Sequence, residues 1–220
     1  MKPEVLMLLS GGLDSTILLY YLNQDYDVTA VTFLYGQKHK KEVKYAKYHT
    51  KKLNVNHLII NISKLKDLFD SALTSEEYQI QEGKYGEVDV IKSKLYVPHR
   101  NLLFLTLLDI IAYKHNINNI AIAIHKNDSQ QYPDTTREFK ELAEKVLSTS
   151  SNRNVSILTP FIELYKYQIV EIGYKLNVEM DKTWSCYKGG RYHCGRCPTC
   201  LERKEAFKKA RILDKTKYEV

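Results

Sequence analysis

The stretch that decides the fold lies near the N-terminus and runs VLMLLSGGLDST over residues 5–16. Its first five residues are continuously apolar, which predicts a short buried strand at 5–9. The pair Gly11 and Gly12 breaks this strand, and a helix is expected over 15–22. A strand, a glycine turn and a helix in direct succession form the first half of a parallel α/β unit.

The loop between this strand and this helix has the chemistry of a phosphate cradle. It contains neither GxxxxGK[ST] nor GxGxxG, so the two common nucleotide-binding fingerprints are absent. Adjacent glycines let backbone N–H groups approach an anion, the helix presents its positive end, and Ser10, Ser15 and Thr16 add hydroxyl donors. Asp14 would repel phosphate, so we expect it to hold the loop through backbone hydrogen bonds or to orient a Mg²⁺ ion. A plain tight turn is the alternative.

Further strands and helices alternate along the chain. Apolar runs predict strands at 28–34, 57–62, 119–124 and 156–158. Helices are expected at 41–53, 101–114, 135–147 and 165–176. The polar, weakly periodic segment 64–95 is interpreted as an insertion or a lid. The alternation predicts an α/β domain with a parallel sheet, helices on both faces, and ligands beyond the carboxyl ends of the strands.

Composition and charge exclude several classes of protein. The 220 residues are 44% hydrophobic and 27% charged, which is ordinary for a globular protein and excludes a disordered or fibrous chain. No apolar run approaches the roughly 18–20 residues of a membrane span, and the N-terminal run is too short for a signal peptide. A cytoplasmic location is therefore expected.

The net charge of +7 resides entirely in residues 182–220, because residues 1–181 are balanced. A basic end of this kind can contact RNA, a nucleotide phosphate or an acidic partner. The alternative is a solvated, lysine-rich helix and tail after residue 210.

All four cysteines lie in the same basic segment, with the spacing C-x7-C-x2-C-x2-C: Cys186, Cys194, Cys197 and Cys200. Disulfides are not expected in a reducing compartment. Four clustered thiolates favour a closed, structural zinc site, while an iron–sulfur cluster is the alternative. His193 is a substitute ligand that four thiolates make unnecessary. We therefore expect a nucleotide-binding domain at 1–181 and a small zinc-binding and helical module at 182–220.

The glycine loop resembles a known motif. SGGxDS directly after the first strand is similar to the pyrophosphate-loop (PP-loop) motif of ATP-dependent adenylating enzymes, which include GMP synthetases, NAD synthetases, tRNA thiolases and lysidine synthetases. The resemblance implies a Rossmann-like fold of the adenine nucleotide alpha hydrolase type. It also implies that ATP is bound by Leu9, Ser10, Gly11, Gly12, Leu13, Asp14, Ser15 and Thr16.

Three further segments resemble the 7-cyano-7-deazaguanine synthase family. Residues 31–42, VTFLYGQKHKKE, are similar to its VTFxYGQxHxxE stretch. Residues 97–105, VPHRNLLFL, are similar to its VPGRNxxFL stretch, and residues 132–134 with 138–139 match part of SGYPDCRDEF. The four-cysteine end resembles the zinc site of the family. The resemblance extends in order from residue 9 to residue 207.

The sequence departs from the family pattern at a few positions. His99 stands where many members have glycine, Gln130 and Gln131 replace Ser-Gly, and residues 135–137 replace Cys-Arg-Asp. We expect these departures to cluster on the base-binding side. A divergent branch with the same substrate is the main interpretation, and a shifted substrate is the alternative.

The resemblance implies a ligase that forms C–N bonds. Its substrates would be 7-carboxy-7-deazaguanine, ammonia and ATP with Mg²⁺, and its product 7-cyano-7-deazaguanine (preQ0), the precursor of queuosine or archaeosine. The carboxylate would attack the α-phosphate of ATP, ammonia would displace AMP to give the amide, and a second activation would yield the nitrile. The resemblance also implies a homodimer.

The residues expected to carry this chemistry fall into two groups. The catalytic group is Ser10, Asp14, Ser15, His39 and Arg100. Arg100 suits a carboxylate or phosphate because guanidinium binds oxyanions bidentately, with a surface role at the helix start as the alternative. His39 either donates to phosphate and carries protons or lies on the surface at a helix start.

The substrate-binding group is Tyr35, Arg100, Asn101, Asp128 and Asp134. Tyr35 either stacks on the base or packs in the core. Asn101 either binds the ligand or caps the apolar helix. Asp134, or Asp128 as a second candidate, matches the donors of a guanine-like edge, and a turn residue is the alternative for either.

Two other functions compete with this one. A PP-loop tRNA-modifying enzyme that thiolates or aminates a base would use the basic end, but the chain has no free cysteine for sulfur transfer and no added RNA-binding domain. A zinc-ribbon nucleic-acid-binding protein with a nucleotide-sensing domain would leave residues 35–42 and 97–104 unexplained. Direct nucleic-acid binding is therefore not expected.

Overall fold

The computed structural model describes residues 1–219, which form five strands and seven α-helices. The strands are β1 Glu4–Leu8, β2 Asp27–Leu34, β3 Asn56–Asn61, β4 Asn119–Ala121 and β5 Ser156–Leu158. The helices are α1 Leu13–Leu22, α2 Lys41–Leu53, α3 Arg100–Lys114, α4 Lys126–Ser129, α5 Arg137–Ser151, α6 Lys166–Lys175 and α7 Pro198–Ala210. Short 3-10 turns lie at Ser63–Leu68, Pro133–Thr135 and Met180–Lys182.

The five strands form one parallel sheet in the order β3-β2-β1-β4-β5. Strand β1 pairs with β2 on one side, and Leu6 of β1 is in register with Ile120 of β4 on the other. The strand order therefore reverses between β1 and β4, and in such sheets ligands bind at the carboxyl ends beside this point. The predicted parallel α/β fold is confirmed.

Apolar residues cover both faces of the sheet, as the prediction of helices on both faces requires. One core joins β1 to α1 and α6, and it also contains Phe207 from α7. The other core joins β1 and β4 to α3 and α5. Among residues 1–219, no helix is both long and apolar enough to span a bilayer.

Several boundaries differ from the sequence prediction: β4 ends at Ala121 and not at residue 124, and α5 ends at Ser151 and not at residue 147. Helix α5 begins at Arg137 and not at residue 135, because the Thr136 side chain accepts a hydrogen bond from the Phe139 N–H (3.1 Å) and caps the helix there. Helix α1 begins at Leu13, directly after the second glycine. The single-turn helix α4 was not predicted, because a run of four polar residues has no periodicity.

The segment 64–95 forms a small core of its own, built from Ala72, Leu73, Val88, Val90, Leu95 and Val97. Its Leu73 and Tyr85 face the cleft described below. The segment therefore forms one wall of that cleft, consistent with an insertion.

The prediction of a helix after residue 210 is wrong. Arg211 adopts a left-handed conformation (φ 56°) and ends α7. The chain then runs back in an extended form, where Glu219 donates its backbone N–H to the His193 carbonyl (2.7 Å) and Tyr218 donates its hydroxyl to Asp214 (2.6 Å). The tail is thus fastened to the cysteine-rich module, while its Lys215 and Lys217 side chains are exposed, as expected for a solvated tail.

Candidate active site

A cleft of about 250 Å³ opens at the carboxyl ends of β1 and β4, where the strand order reverses. It is lined by the glycine loop, the segments that follow β2 and β4, the segment 64–95, the starts of α3 and α6, and the cysteine-rich module. The predicted site residues that line the cleft are Ser10, Gly12, Leu13, Asp14, Ser15, Tyr35, His39, Arg100, Asn101, Asp128 and Asp134. Leu9, Gly11 and Thr16 lie behind the loop.

The glycine loop is held close to its neighbours. Gly11 has φ +89°, a conformation that side chains rarely adopt, and a Cβ there would lie 2.1 Å from the Glu42 carbonyl oxygen. The Gly11 carbonyl accepts a hydrogen bond from the Trp184 N–H (3.0 Å). The loop is therefore packed between α2 and the segment around Trp184, which leads into the cysteine-rich module (residues 182–220). These contacts fix the conformation of the loop.

Two serines complete the cradle. The Ser10 hydroxyl accepts a hydrogen bond from the Gly12 N–H (3.1 Å) and lies 2.9 Å from the Ser15 hydroxyl. Because α1 starts at Leu13, its first-turn N–H groups have no intrahelical acceptor and suit an anion. Thr16, expected to add a third hydroxyl, is fully buried beneath the loop and does not line the cleft. The observed loop is a helix-start anion site flanked by two hydroxyls.

Asp14 is held by charge and not by the loop backbone. Its carboxylate lies 3.0 Å from the Lys166 ammonium, which also contacts Glu202 at 2.9 Å. Burial alone would raise the pKa of Asp14, but Lys166 and His125 together lower it below its usual range. Burial would likewise lower the pKa of Lys166, yet Asp14 and Glu202 raise it. At neutral pH both partners are therefore charged.

A second ion pair, formed by His125 and Asp128, lies at the cleft in the loop after β4. His125 is fully buried, and its Nε2 lies 3.3 Å from Asp128 and 3.7 Å from Asp14. These two carboxylates raise the pKa of His125 against the effect of its burial. Burial raises the pKa of Asp128 to about 6, although His125 opposes the shift. Asp128 thus faces the cleft as a carboxyl group that is easily protonated.

Arg100 projects into the cleft from the first turn of α3, beside Tyr35. The Tyr35 ring packs edge-to-face on Phe104 with 5.4 Å between centroids, so its ring packs in the core while its hydroxyl faces Arg100. Burial raises the pKa of the Tyr35 hydroxyl against the effect of the guanidinium. Arg100 is therefore a cation beside the Tyr35 hydroxyl and near the carboxyl groups of Asp134 and Glu42, and its guanidinium can bind an incoming anion.

Asn101 does not cap α3. It is the second residue of the helix, and its side-chain amide donates to the Asp134 carbonyl (3.0 Å), while its backbone N–H donates to the Asp134 carboxylate (3.2 Å). The cap is thus supplied by Asp134 from another segment, which no local pattern could predict. Burial raises the pKa of Asp134 despite the nearby Arg100. This pair fastens the start of α3 to the loop before α5.

Three tyrosines that the sequence analysis did not select meet in the cleft. The Tyr85 hydroxyl lies 3.1 Å from that of Tyr187 and accepts a hydrogen bond from that of Tyr132 (3.3 Å). Burial raises the pKa of Tyr85 and Tyr187 well above the usual value, so both are neutral donors. They come from three distant segments in a chain with 17 tyrosines, so no sequence signal could select them.

His39 and Glu42 flank the loop from the start of α2. His39 is largely buried, lies 6.0 Å from the Trp184 ring, and is not a surface residue. Burial, reinforced by Lys41, lowers the pKa of His39 to about 4, so the imidazole is neutral at pH 7. Glu42, which the sequence analysis quoted but did not select, lines the cleft, and burial raises its pKa to about 7.

The elevated pKa of Glu42 predicts a dependence of stability on pH. A carboxyl whose pKa is raised on folding contributes stability at low pH that is lost as the pH rises through its folded pKa of about 7. Glu42→Gln does not titrate, so the variant is expected to be more stable than wild type at pH 8 by about 1–3 kcal/mol and equal to it near pH 4. Urea unfolding at both pH values measures the difference, and an equal stability at pH 8 would contradict it.

The departures from the family pattern lie mostly outside the cleft. His99 is exposed and has φ 60°, the left-handed region that glycine favours, which explains the glycine of the pattern as a backbone requirement. Gln130 and Gln131 line an adjacent small groove with Lys84 and Glu205, and Arg137 pairs with Glu163 on the surface. Of these positions only Thr135 lines the cleft itself, and the expectation that they lie on the base-binding side stays a prediction.

The four cysteines form a buried cluster whose sulfur atoms all lie within 4.8 Å of one another. None is in a disulfide. The backbone N–H of Cys194 donates to the Cys186 sulfur, and that of Cys197 donates to the Cys194 sulfur. Such hydrogen bonds stabilise the negative charge of a thiolate. His193 stands outside the cluster and accepts a hydrogen bond from the Ser185 N–H. Four thiols in this arrangement could hold one metal ion and would leave it no open position.

Solved structures share this fold. The NH3-dependent NAD synthetase from Campylobacter jejuni matches with a TM-score of 0.55 and 16% identity over 94% of this chain and 75% of that one. The NMN synthetase from Francisella tularensis matches with a TM-score of 0.56 and 14% identity over 96% and 78%. These likenesses show the fold and so define the structural class: an α/β protein with a parallel sheet and a glycine loop between β1 and α1.

Within this class, the chain belongs to the QueC family. The family profile described as queuosine biosynthesis protein QueC matches residues 4–211. A 7-cyano-7-deazaguanine synthase from Caldicellulosiruptor saccharolyticus is 41% identical over 218 residues, 99% of this chain and 96% of that protein. Another, from Archaeoglobus fulgidus, is 42% identical over 207 residues, covering 93% and 85%. The resemblance inferred from the sequence motifs is confirmed.

Proposed function

We propose that this protein uses ATP to convert 7-carboxy-7-deazaguanine and ammonia to 7-cyano-7-deazaguanine, by way of an adenylate and an amide. The observation that carries the proposal is a single cleft that joins a phosphate loop to a buried arginine and a wall of neutral tyrosines, in a chain of the QueC family. A cleft of this kind brings an anionic nucleotide and a planar acid together.

The glycine loop is proposed to bind the phosphates of ATP. The Ser10 and Ser15 hydroxyls and the N–H groups at the start of α1 face the same part of the cleft. Donors fixed in this way need no reorganisation as charge develops during displacement of pyrophosphate. The short spacing between the two serine hydroxyls, 2.9 Å, keeps them in place before the nucleotide arrives.

Arg100 is proposed to bind the substrate carboxylate and bring it to the α-phosphate. Arg100 and Lys166 are the arginine and lysine that line the cleft, Lys166 is already paired with Asp14 and Glu202, and the planar fork of a guanidinium matches a carboxylate. The rings of Tyr85, Tyr132 and Tyr187 form the wall for a planar base, and Asp128 is the carboxyl that faces the cleft to pair with the donors of a guanine-like edge.

Asp134 is proposed as a positioning residue. Its carboxylate and carbonyl hold Asn101, so it sets the direction of α3 and therefore of Arg100. His39, neutral and packed near Trp184, is proposed to shape the loop and to donate to a phosphate oxygen. The walls of the cleft exclude water from the reactive adenylate, which water would hydrolyse.

Mg²⁺ fits beside Asp14. One carboxylate oxygen of Asp14 bonds Lys166, and the other, Oδ1, is buried with no hydrogen-bond partner among residues 1–219. A free, buried carboxylate oxygen is the ligand that Mg²⁺ prefers. When bound, the ion would neutralise phosphate charge; Asp14 would hold it, and Lys166 would hold Asp14.

Zinc is the metal proposed for the cysteine cluster. The distance of 3.9 Å between the sulfurs of Cys194 and Cys200 suits one tetrahedral ion with Zn–S bonds of about 2.3 Å. A cluster of several irons would hold its cysteine sulfurs farther apart, because each sulfur binds a different metal atom. Zinc would supply folding energy here and fix Tyr187 and α7 against the cleft.

One zinc ion per chain is the expected metal content. Elemental analysis of purified wild-type protein should give one zinc and no iron, and Cys197→Ser should lower the zinc content and the melting temperature together, because a buried ligand is lost. Ser185→Ala, beside the cluster but not in it, is the control and should retain zinc. Iron in the wild-type protein would refute the assignment.

The tRNA-modifying alternative gains no support from the basic end. Arg203 is fully buried, Lys188 and Arg196 both pair with Glu82, and Lys204 donates to the Gly195 carbonyl. Much of the positive charge therefore holds the module together. We propose that the free base is the substrate, that the enzyme is a cytoplasmic homodimer, and that its product enters queuosine or archaeosine synthesis.

The products formed from ATP test the proposed function. With 7-carboxy-7-deazaguanine, ammonium and Mg²⁺, ³¹P NMR should show ATP converted to AMP and pyrophosphate, and omission of the acid should stop the conversion. Bulk tRNA should not replace the acid. Release of ADP and phosphate, or AMP formation that requires tRNA and not the free base, would overturn the proposal.

A further inference from the structure

Five carboxylates line the cleft, and their surroundings differ. Four of them have a close donor: Asp14 and Glu202 share Lys166, Asp128 lies 3.3 Å from His125, and Asp134 accepts the Asn101 N–H. Glu42 is the exception: its closest basic side chain is His39, which is neutral and whose Nε2 lies 3.9 Å from the carboxylate. Among residues 1–219, no group donates a hydrogen bond to its carboxylate.

Glu42 also has a fixed position beside the reacting groups. Its backbone carbonyl packs against Gly11 of the phosphate loop, and its side chain faces the cleft together with Arg100 and Tyr35. The α-phosphate held by the loop and the carboxylate held by Arg100 would therefore meet next to it. Because no group donates a hydrogen bond to the Glu42 carboxylate, its oxygens are available to accept a proton at this point.

We propose that Glu42 is the general base that takes protons from nitrogen during amide and nitrile formation, an inference that rests on the proposed function. In the first step, ammonia forms the C–N bond, the C–O bond to AMP breaks with its electron pair leaving on AMP, and one nitrogen proton passes to Glu42.

In the second step, the amide oxygen displaces pyrophosphate from another ATP. The activated amide nitrogen then carries two protons, of which one is released to solvent and the other passes to Glu42 as the C–O bond to AMP breaks. The C≡N bond forms from the electron pair left on nitrogen. Glu42 returns its proton to water between steps, so the sum is two AMP and two pyrophosphates for each nitrile.

The groups around Glu42 give its carboxyl a pKa that suits a general base. A base works best when its pKa lies near the working pH, and burial raises the pKa of Glu42 to about 7 while Arg100 limits the shift. The groups that face it are His39 from its own segment, Arg100 from α3 and Tyr35 after β2. Asp128 has a pKa of about 6, but His125 contacts its carboxylate, so it is less free to accept a proton.

Glu42→Gln separates the two halves of the reaction. Exchange of labelled pyrophosphate into ATP, dependent on 7-carboxy-7-deazaguanine, needs no proton transfer from nitrogen and should be unchanged, which also shows that the variant is folded. Amide formation from ammonia should fall by about 100-fold or more in kcat. Hydroxylamine is a weaker base than ammonia, so after attack its nitrogen loses a proton to water more readily, and hydroxamate formation should fall much less in the variant than amide formation. Glu76→Gln, on an exposed side chain outside the cleft, should match wild type in all three assays.

A pH profile gives a second readout. At constant free ammonia, amide formation by wild type should fall as the pH drops through about 7, and this limb should be absent from Glu42→Gln. Full ammonia-dependent activity in the variant would overturn the role of Glu42, as would equal loss of the exchange reaction. If wild type shows no acid-dependent exchange, the proposed function itself fails, a result distinct from the other two.

Discussion

Gly11→Ala is expected to abolish ATP-dependent turnover and to lower the free energy of unfolding by about 2–4 kcal/mol. The loss has two sources, a left-handed backbone that disfavours any side chain and a methyl group that would lie 2.1 Å from the Glu42 carbonyl oxygen. Because the contact is with the backbone of α2, a side-chain movement cannot relieve it. The displaced loop would also move the donors of Ser10 and the start of α1.

The neighbouring glycine provides the matched control. Gly12 has an ordinary φ of −72°, and a Cβ there would lie 3.2 Å from the Ser10 hydroxyl, which can rotate. Gly12→Ala should therefore lower the unfolding free energy by about 1 kcal/mol or less. Urea unfolding and the release of AMP measure both variants. Equal stability of the two would mean that the loop is not confined by α2.

Lys166→Met is expected to lower the free energy of unfolding by about 3–5 kcal/mol, because it leaves Asp14 and Glu202 without their shared cation inside the protein. Activity should fall as well, since Asp14 would then tend to be protonated and lose its place. Lys209→Met is the control. The same substitution there removes an exposed ion pair with Glu205 and should cost about 1 kcal/mol or less.

The ion pair between Asp14 and Lys166 also predicts how the free energy of unfolding depends on pH below neutrality. The pKa of Asp14 is lowered on folding, so its contribution to stability is present above its usual value near 3.8 and is lost as the pH falls below that value. Lys166→Met removes the main cause of the lowering. The stability gap between wild type and variant should therefore narrow as the pH falls from 6 to below 3, and a constant gap would contradict the pairing.

The strand–loop–helix unit and the four-cysteine site were predictable because each is local. An apolar run ended by two glycines specifies β1, its loop and α1, and close cysteine spacing specifies a metal site. Arg100 was predictable from its chemistry at the start of an apolar helix. The parallel sheet followed from the alternation of strands and helices, but its strand order did not.

The rest of the site depends on tertiary contacts. In the sequence, Lys166 is one lysine among many at the start of a helix, and only folding places it 3.0 Å from Asp14. Glu42 ends the run KHKKE and has the pattern of a solvated helix start, but the loop and α3 bury its side chain. Asp134 caps α3 from a segment far along the chain, so the alternative in which Asn101 caps that helix is wrong.

The mass of the base after reaction is the measurement that tests the account most directly. Purified protein, ATP, Mg²⁺, 7-carboxy-7-deazaguanine and ¹⁵N-labelled ammonium should give the labelled amide first and then the labelled nitrile, with neither product from Gly11→Ala. A base of unchanged mass, from protein that is folded, carries zinc and binds ATP, would contradict the assigned substrate.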